Sequence, residues 1–387
     1  MPDHRIPSGL HLTFLADQLG AGAGGGRFTT GFLQSLLADA GALQQVERLS
    51  ILVTQRESVV SLGSLPDKVR VLRRPFPSRL RQTILAGAFG RTLPRSDVVH
   101  GPFYYMFPGQ AARSVVTLHD LSMFDERFHP SEKRQSQIVS ITASVFRADA
   151  VICDSDAILA ECLRHWPGVA GKFTRVYLGT AAVSNRGPAS SWQHGMTARP
   201  YILTVGTIEP RKNYEGLLTA YEALLNELGD VAPDFVVAGR AGWMCESSVH
   251  KLATLEASGR VHWFRGATDE QLACLYEGAE VFTYLSVYEG FGYPPFEAAC
   301  TGIPMVLSNL SSVGEIWRDH ACCVDPTNVA EIVNAWRWAL NLDKGERAAV
   351  VERQAKRATE FSWRRCVQGY LDLYEQLTNE SRREGLA

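Results

Sequence analysis

The feature that most limits the fold is an alternation of short apolar runs with longer amphipathic ones, and it occurs twice. In the first half, residues 11–16, 50–54, 69–72, 97–100, 114–118, 150–153 and 174–178 read as strands. In the second half, residues 201–205, 235–238, 261–264, 281–285, 304–307 and 321–324 do the same. Strands separated by helical stretches pair in parallel, because a parallel pair needs a crossover long enough to hold a helix. Between the two series, residues 184–200 turn irregular and rich in Ser, Gly and Pro, which places an interdomain linker at 186–199. The prediction is an α/β chain with one parallel-sheet domain over 1–185 and a second over 200–362. Residues 363–387 form a closing helix and tail that can return to the first domain. A chain of 387 residues with 45% apolar content can bury two such cores.

Charge separates the halves. The chain as a whole carries a formal charge of −2, but residues 1–190 hold 21 Lys/Arg against 15 Asp/Glu, and the remainder 18 against 26. The first half is therefore expected to meet something anionic, with ordinary surface charge as the alternative. No feature points to nucleic acid, and none reports the oligomeric state. Residues 67–95 concentrate Lys68, Arg70, Arg73, Arg74, Arg79, Arg81, Arg91 and Arg95 around Phe76, Leu80, Ile84, Leu85 and Phe89. A basic amphipathic segment of this kind can lie on an anionic membrane surface; a helix packed on the sheet with solvated arginines is the competing reading. The eight cysteines show no Cys-x-x-Cys pairing, and several sit in apolar runs, as expected of buried free thiols in a reducing compartment. With no signal-peptide pattern and no run approaching 18 apolar residues, the expected location is the cytoplasm, peripheral on the inner face of the membrane at most.

The densest chemistry lies at 281–298. An apolar run, Val281 to Leu285, feeds the loop Glu289-Gly290-Phe291-Gly292-Tyr293, and Pro294 and Pro295 then suit the first turn of a helix. A glycine loop at a helix N-terminus is a place for phosphate oxygens. Glu289 and Glu297 bracket that loop, and carboxylates beside an anion site are better employed in accepting hydrogen bonds from hydroxyls. Upstream, Gly206 and Thr207 follow the first strand of the same domain, then Arg211, Lys212 and Asn213. Asn213 reads as an N-cap for the face formed by Leu217, Leu218, Tyr221, Leu224, Leu225 and Leu228. Paired cations before a helix can neutralise a diphosphate, the arginine through its fork and the lysine as a point charge. Arg265 ends the strand 261–264.

In the first half, Gly20 to Gly26 opens an amphipathic run containing Phe28 and Phe32, so Gly24, Gly25 and Gly26 can let a ligand approach the backbone. His119 and Asp120 directly follow the buried run 114–118, at a strand end where ligands of open α/β sheets bind. His100 lies near a similar strand end and leads to Phe103 and Tyr104, whose rings suit a sugar face or a core equally.

These stretches together resemble the retaining glycosyltransferases of family 4, of the bacterial polysaccharide, mannosyltransferase-like kind. The likeness rests on Glu289-Gly-Phe-Gly-Tyr-Pro-Pro-Phe-Glu297, Ala-Ala-Cys-Thr-Gly302-Ile-Pro304, Val-Gly206-Thr-Ile-Glu-Pro-Arg-Lys212-Asn, Val237-Ala-Gly239, Thr268-Asp-Glu-Gln-Leu272, Thr117-Leu-His119-Asp120 and Asp154-Ser155. It implies the GT-B architecture, two Rossmann-like domains facing across a deep cleft. It also implies a nucleotide diphosphate sugar donor, GDP-mannose by preference, held by the second domain, and a glycan or lipid-linked saccharide acceptor entering from the first.

Carried over residue by residue, Glu289 with the backbone of Gly290, Phe291, Gly292 and Tyr293 holds the transferred sugar and distal phosphate. Glu297 holds the ribose, Arg211 and Lys212 the leaving diphosphate, and His119 contacts the sugar near the reacting carbon. Gly206, Thr207 and Arg265 complete the donor side; Gly24, Gly25, Gly26, Asp120 and Tyr104 form the acceptor side. The family works without a cofactor or bound metal, and the resemblance implies the same here. One departure is Thr207, where many members carry a basic residue. Two alternatives share the fold: a sugar-nucleotide epimerase or phosphorylase, and a copy that binds without turnover.

Overall fold

The computed structural model describes residues 9–16, 18–19, 24–53, 60–73, 94–104, 111–180 and 199–384. In the first half the elements run β1 (Leu10–Leu15), α1 (Gly24–Ala38), α2 (Ala40–Gln45), β2 (Val46–Val53), β3 (Val69–Arg73), β4 (Ser96–Gly101), β5 (Ala111–Leu118), α3 (Ser131–Arg147), β6 (Ala150–Cys153), α4 (Asp156–His165) and β7 (Phe173–Arg175). The second half continues with β8 (Tyr201–Val205), α5 (Tyr214–Leu228), β9 (Asp234–Ala238), α6 (Glu246–Ala257), β10 (Val261–Phe264), α7 (Asp269–Gly278), β11 (Val281–Tyr284), α8 (Tyr293–Ala299), β12 (Met305–Ser308), α9 (Ser311–Trp317), β13 (Cys322–Val324), α10 (Val329–Leu340), α11 (Lys344–Ala358) and α12 (Trp363–Glu384). Every predicted strand falls on one of these.

The chain divides into two compact units: Met1–Leu121 with Gln135–Gly179 and Phe361–Ala387, and Ser122–Arg134 with Thr180–Glu360. The first holds a seven-stranded sheet in the order β3-β2-β1-β4-β5-β6-β7, the second a six-stranded sheet in the order β10-β9-β8-β11-β12-β13. All pairings are parallel. Each unit is Rossmann-like. Strand order reverses between β1 and β4 in one sheet and between β8 and β11 in the other, and loops at such a point diverge and leave a crevice for a ligand.

The first unit closes over its sheet with α12. His100, fully buried in β4, binds the Tyr374 hydroxyl through Nδ1 at 2.5 Å and Thr117 Oγ1 through Nε2 at 2.9 Å. Burial and the neighbouring His119 pull its pKa down to about 3, so this ring is a neutral tie between helix and sheet. Gly31 and Gly179 make room for Trp363, whose ring or backbone atoms would lie 2.2 and 2.4 Å from a Cβ at those positions. Ser362 Oγ caps the helix by accepting from Arg365 N–H at 3.3 Å. Of the closing helix and tail expected over 363–387, the helix takes nearly all, continuing to Glu384. The buried Leu377 and Thr378 explain the extension, since packing rather than propensity sustains a helix end.

In the second unit, Trp336, Trp317, Tyr221, Phe235 and Phe282 are fully buried around the sheet, each adding about 1.5–3 kcal/mol relative to exposure. Trp336 Nε1 donates to Thr283 Oγ1 at 3.1 Å, so its polar edge is satisfied inside the core.

Three expectations need correction or fall outside the description. All eight thiols are free, but Cys300 is exposed and Cys322 and Cys323 are half-buried, because Cys300 caps the end of α8 and the other two lie on β13, the edge strand of its sheet. Of the basic segment 67–95, only the ends are described: Arg70 and Arg73 lie on β3, and Lys68 donates to the carbonyls of Leu43 and Val46. Residues 74–93, like the linker residues 186–198 and Gly20 to Ala23, lie outside the described residues.

Candidate active site

The strongest cluster of charge forms where β8 and β11 diverge in the second unit. After β8 the chain passes Gly206 and Thr207 and makes a 3-10 turn, Pro210–Lys212; Asn213 then takes a left-handed conformation (φ 57°) before α5 starts. Asn213 occupies the N-cap position but caps nothing with its side chain; its Nδ2 donates instead to the Pro326 carbonyl at 2.6 Å. The turn is fixed to the β11 loop by a backbone bond from Val287 N–H to the Arg211 carbonyl at 2.8 Å. The Tyr214 hydroxyl donates to the Gly206 carbonyl at 2.7 Å. Glycine is required at 239, where a Cβ would sit 1.8 Å from that same carbonyl oxygen.

This anchoring places two cations against Glu289. Arg211 donates from Nη1 to Glu289 Oε2 at 2.6 Å and reaches Glu209 Oε1 through Nη2 at 2.6 Å. Lys212 Nζ donates to Glu289 Oε1 and to the Tyr284 hydroxyl, and that hydroxyl donates to Glu289 Oε1 at 2.9 Å. Burial alone would raise the Glu289 pKa, but Arg211 and Lys212 outweigh it and bring it down to about 2. Lys212 shifts downward through burial and the adjacent Arg211, partly offset by Glu289. Two cations and two carboxylates thus balance in formal charge within one buried set. The Glu289 backbone is clamped as well: its N–H donates to Ser311 Oγ at 3.1 Å, and its carbonyl accepts from Ser311 Oγ at 2.5 Å and Ser312 Oγ at 3.0 Å. Ser311 does this from a left-handed backbone, φ 54°, a conformation rare for a non-glycine residue and common at functional loops.

Beyond Glu289, Pro294 and Pro295 lie in the first turn of a helix, as expected. Helix α8 starts at Tyr293, a residue ahead of Pro294, and runs only to Ala299. Pro294 and Pro295 carry no N–H, so the first turn offers few donors. The anion-attracting character of the site therefore rests on Arg211 and Lys212 more than on the helix end. Gly292 turns the loop at φ 87°, where a side chain would be strained and would meet Val313. Phe291 is buried against Phe296, with ring centroids 5.0 Å apart. One turn into α8, Glu297 accepts from the Tyr276 hydroxyl at 2.8 Å.

Arg265 is the predicted donor residue that this cluster does not include. It stands at the end of β10, on the edge strand, stacks over Trp263 at 3.9 Å and pairs with Glu256 at 2.8 Å. Thr207 is exposed beside Gly242.

In the first unit, Gly24, Gly25 and Gly26 open α1, and a Cβ at Gly25 would lie 2.2 Å from Gln18 Oε1 and 2.5 Å from the Phe103 ring. Tyr104 holds φ 54° and donates its N–H to the Thr117 carbonyl at 3.3 Å. His119 follows β5, with Nδ1 hydrogen-bonded to Asp154 Oδ2 at 2.6 Å and its ring against Phe28 and Phe103. Burial opposes its protonation, but the carboxylates of Asp154 and Asp120 more than compensate and raise its pKa.

Sequence reasoning gave no role to Glu209, Tyr284, Ser311, Ser312 or Asp154. Glu209 could have been suspected as an acid two residues before Arg211, and Ser311-Ser312 as hydroxyls just past a strand end. Tyr284 carried no such signal, since an aromatic residue in a strand reads as core.

Residues 189–358 match the family described as Glycosyl transferases group 1. That match lies within the second unit. Over 313 residues the chain is 29% identical to the O-antigen chain mannosyltransferase B of Escherichia coli, covering 77% of this chain and 81% of that relative. It is 30% identical over 207 residues to the Escherichia coli serotype-specific mannosyltransferase WbdA, where the match spans 25% of the relative's length. Among solved structures, the fold matches the Anabaena protein Alr3699/HepE, solved with UDP and glucose, at a TM-score of 0.71 and 17% identity, covering 95% of this chain and all of that one (100%). It matches sucrose-phosphate synthase from Thermosynechococcus elongatus equally well, at a TM-score of 0.71 and 17% identity, over 95% and 99% of the two chains. The chain is thus a glycosyltransferase with the GT-B fold. Among the described residues no helix is long and apolar enough to cross a membrane.

Proposed function

We propose that this glycosyltransferase moves a hexose, mannose from GDP-mannose, onto a growing glycan or lipid-linked saccharide in polysaccharide synthesis, with retention of configuration and without a bound metal. The observation that carries the reading is the convergence of Arg211 and Lys212 on Glu289 at the point where strand order reverses. Likeness to O-antigen mannosyltransferases supports the sugar and the acceptor class. When the nucleoside diphosphate leaves, negative charge grows on its phosphates, and cations already held in place stabilise it without reorganising. Arg211 and Lys212 perform that role, Glu289 and the Gly290–Tyr293 loop hold the sugar and distal phosphate, and Glu297 takes the ribose. Gly206 and Thr207 line the donor side, with Arg211 supplying the charge that Thr207 lacks. His119 contacts the sugar, and Gly24, Gly25, Gly26, Tyr104 and Asp120 receive the acceptor. The basic segment 67–95 meets an anionic membrane surface, which lipid flotation with and without anionic lipid tests.

A thermal-shift screen against GDP-, UDP-, ADP- and dTDP-sugars identifies the donor, because a ligand bound only by the native state raises its melting temperature. GDP-mannose is expected to give the largest shift, and incubation with an acceptor to give an α-linked mannoside in the presence of a chelator. Isomerisation of the donor without acceptor would overturn the reading in favour of an epimerase.

A further inference from the structure

Tyr284 is in an unusual position for a core aromatic. It ends β11, is 3% exposed, and sends its hydroxyl not into the core but between the two charged groups that define the site. The hydroxyl accepts from Lys212 Nζ and donates to Glu289 Oε1 at 2.9 Å; the Lys212 ammonium also lies 4.7 Å from the centre of the ring. Burial and the Glu289 carboxylate raise the phenol pKa well above its ordinary value, so it stays a donor throughout the working range.

The arrangement answers a difficulty posed by the charge-balanced cluster. Both cations are committed to carboxylates, yet a diphosphate needs at least one of them. Glu289 stripped of Lys212 would be a buried carboxylate short of a partner, and an unmatched buried charge is costly. We infer that Tyr284 is the positioning residue for this exchange: its hydroxyl keeps Glu289 Oε1 hydrogen-bonded and fixed while Lys212 turns from the carboxylate to the diphosphate. This rests on the donor reading above. Tyr284 touches no substrate; it acts through Glu289 and Lys212. The charged groups around Lys212 are Arg211, Glu209 and Glu289, and all three persist when the hydroxyl is removed.

The test is Tyr284→Phe, with Tyr284→Met as a second variant should either fail to fold, each checked by thermal unfolding. Turnover at saturating donor is expected to fall about tenfold, as for a lost hydrogen bond to a charged group, and affinity for free nucleoside diphosphate to weaken with it, because Lys212 must leave Glu289 to meet either. The alkaline limb of the pH–rate profile is expected to move to lower pH, since the ammonium loses an acceptor. In a Glu289→Gln background, Tyr284→Phe should add less than about a twofold loss, because the two changes act on one interaction. Unchanged turnover with an unchanged alkaline limb, or losses that multiply in the double variant, would overturn the assignment. If the unmodified protein neither binds nor turns over any nucleotide sugar, the donor reading fails; if it does and Tyr284→Phe matches it, only the role of Tyr284 fails.

Discussion

The two sheets share one strand order about their reversal points, yet the loops at those points carry different chemistry. In the second unit, β8 and β11 deliver two cations and two carboxylates within hydrogen-bond reach of one another. In the first, β1 and β4 deliver a glycine-opened helix and an aromatic turn, and the nearest charged pair, His119 with Asp154, comes from β5 and β6. Topology therefore fixes where a ligand can bind in each unit, and the loop residues fix what kind. A cluster of full charges suits a partner that develops charge, and a histidine set among Phe28 and Phe103 suits neutral hydroxyls.

That contrast is sharpest in turnover. Lys212→Ala and Glu289→Ala are each expected to lower it at least about a hundredfold, the scale of one electrostatic contact made in the transition state, with the fold retained by circular dichroism. His119→Ala removes the proposed hydrogen bond to an uncharged sugar hydroxyl as well as the one to Asp154, and should cost about tenfold. Initial rates with a saturating nucleotide sugar check both. Equal losses in the two units would erase the division between a charge-stabilising loop set and a sugar-contacting one.

The sequence made the two sheets legible because parallel strands buried on both faces are largely apolar runs, and β8, β9, β11 and β12 stand out as such. Glu289, Arg211 and Lys212 were legible because charged residues directly after such runs have no core to enter. What stayed hidden were partners chosen in three dimensions. Glu209 looked like any loop acid, and Tyr284 like any strand aromatic. His100 occupied a strand end similar to that of His119, and the hydroxyls of Tyr374 and Thr117 around it show that it ties down the last helix. Asn213 had the residue type of a cap, but its side chain found the Pro326 carbonyl instead. Side-chain identity ranks candidates; it does not report what folding brings against them.

The smallest expected effect, and the most discriminating, is on stability against pH, because the two sites respond in opposite directions. Glu289 has a folded pKa of about 2, below the ordinary carboxylate value near 4.5. Its contribution is present above about pH 4.5 and is lost as pH falls toward 2, on the order of 3 kcal/mol over the whole span. His119 has a raised folded pKa. Its contribution is complete below about pH 6.5, the unfolded value, and is lost as pH rises through the folded one. Amide hydrogen exchange, corrected for its intrinsic pH dependence, can follow the two sites separately. Protection around β11 and the Glu289 loop should weaken on acidification, and protection at the ends of β5 and β6 should weaken on alkalinisation. Glu289→Gln should flatten the acid response alone, and Asp154→Asn the alkaline response alone. If both regions instead lost protection together at either extreme, the two clusters would be reporting a single global unfolding, and the independence of their electrostatics would be refuted.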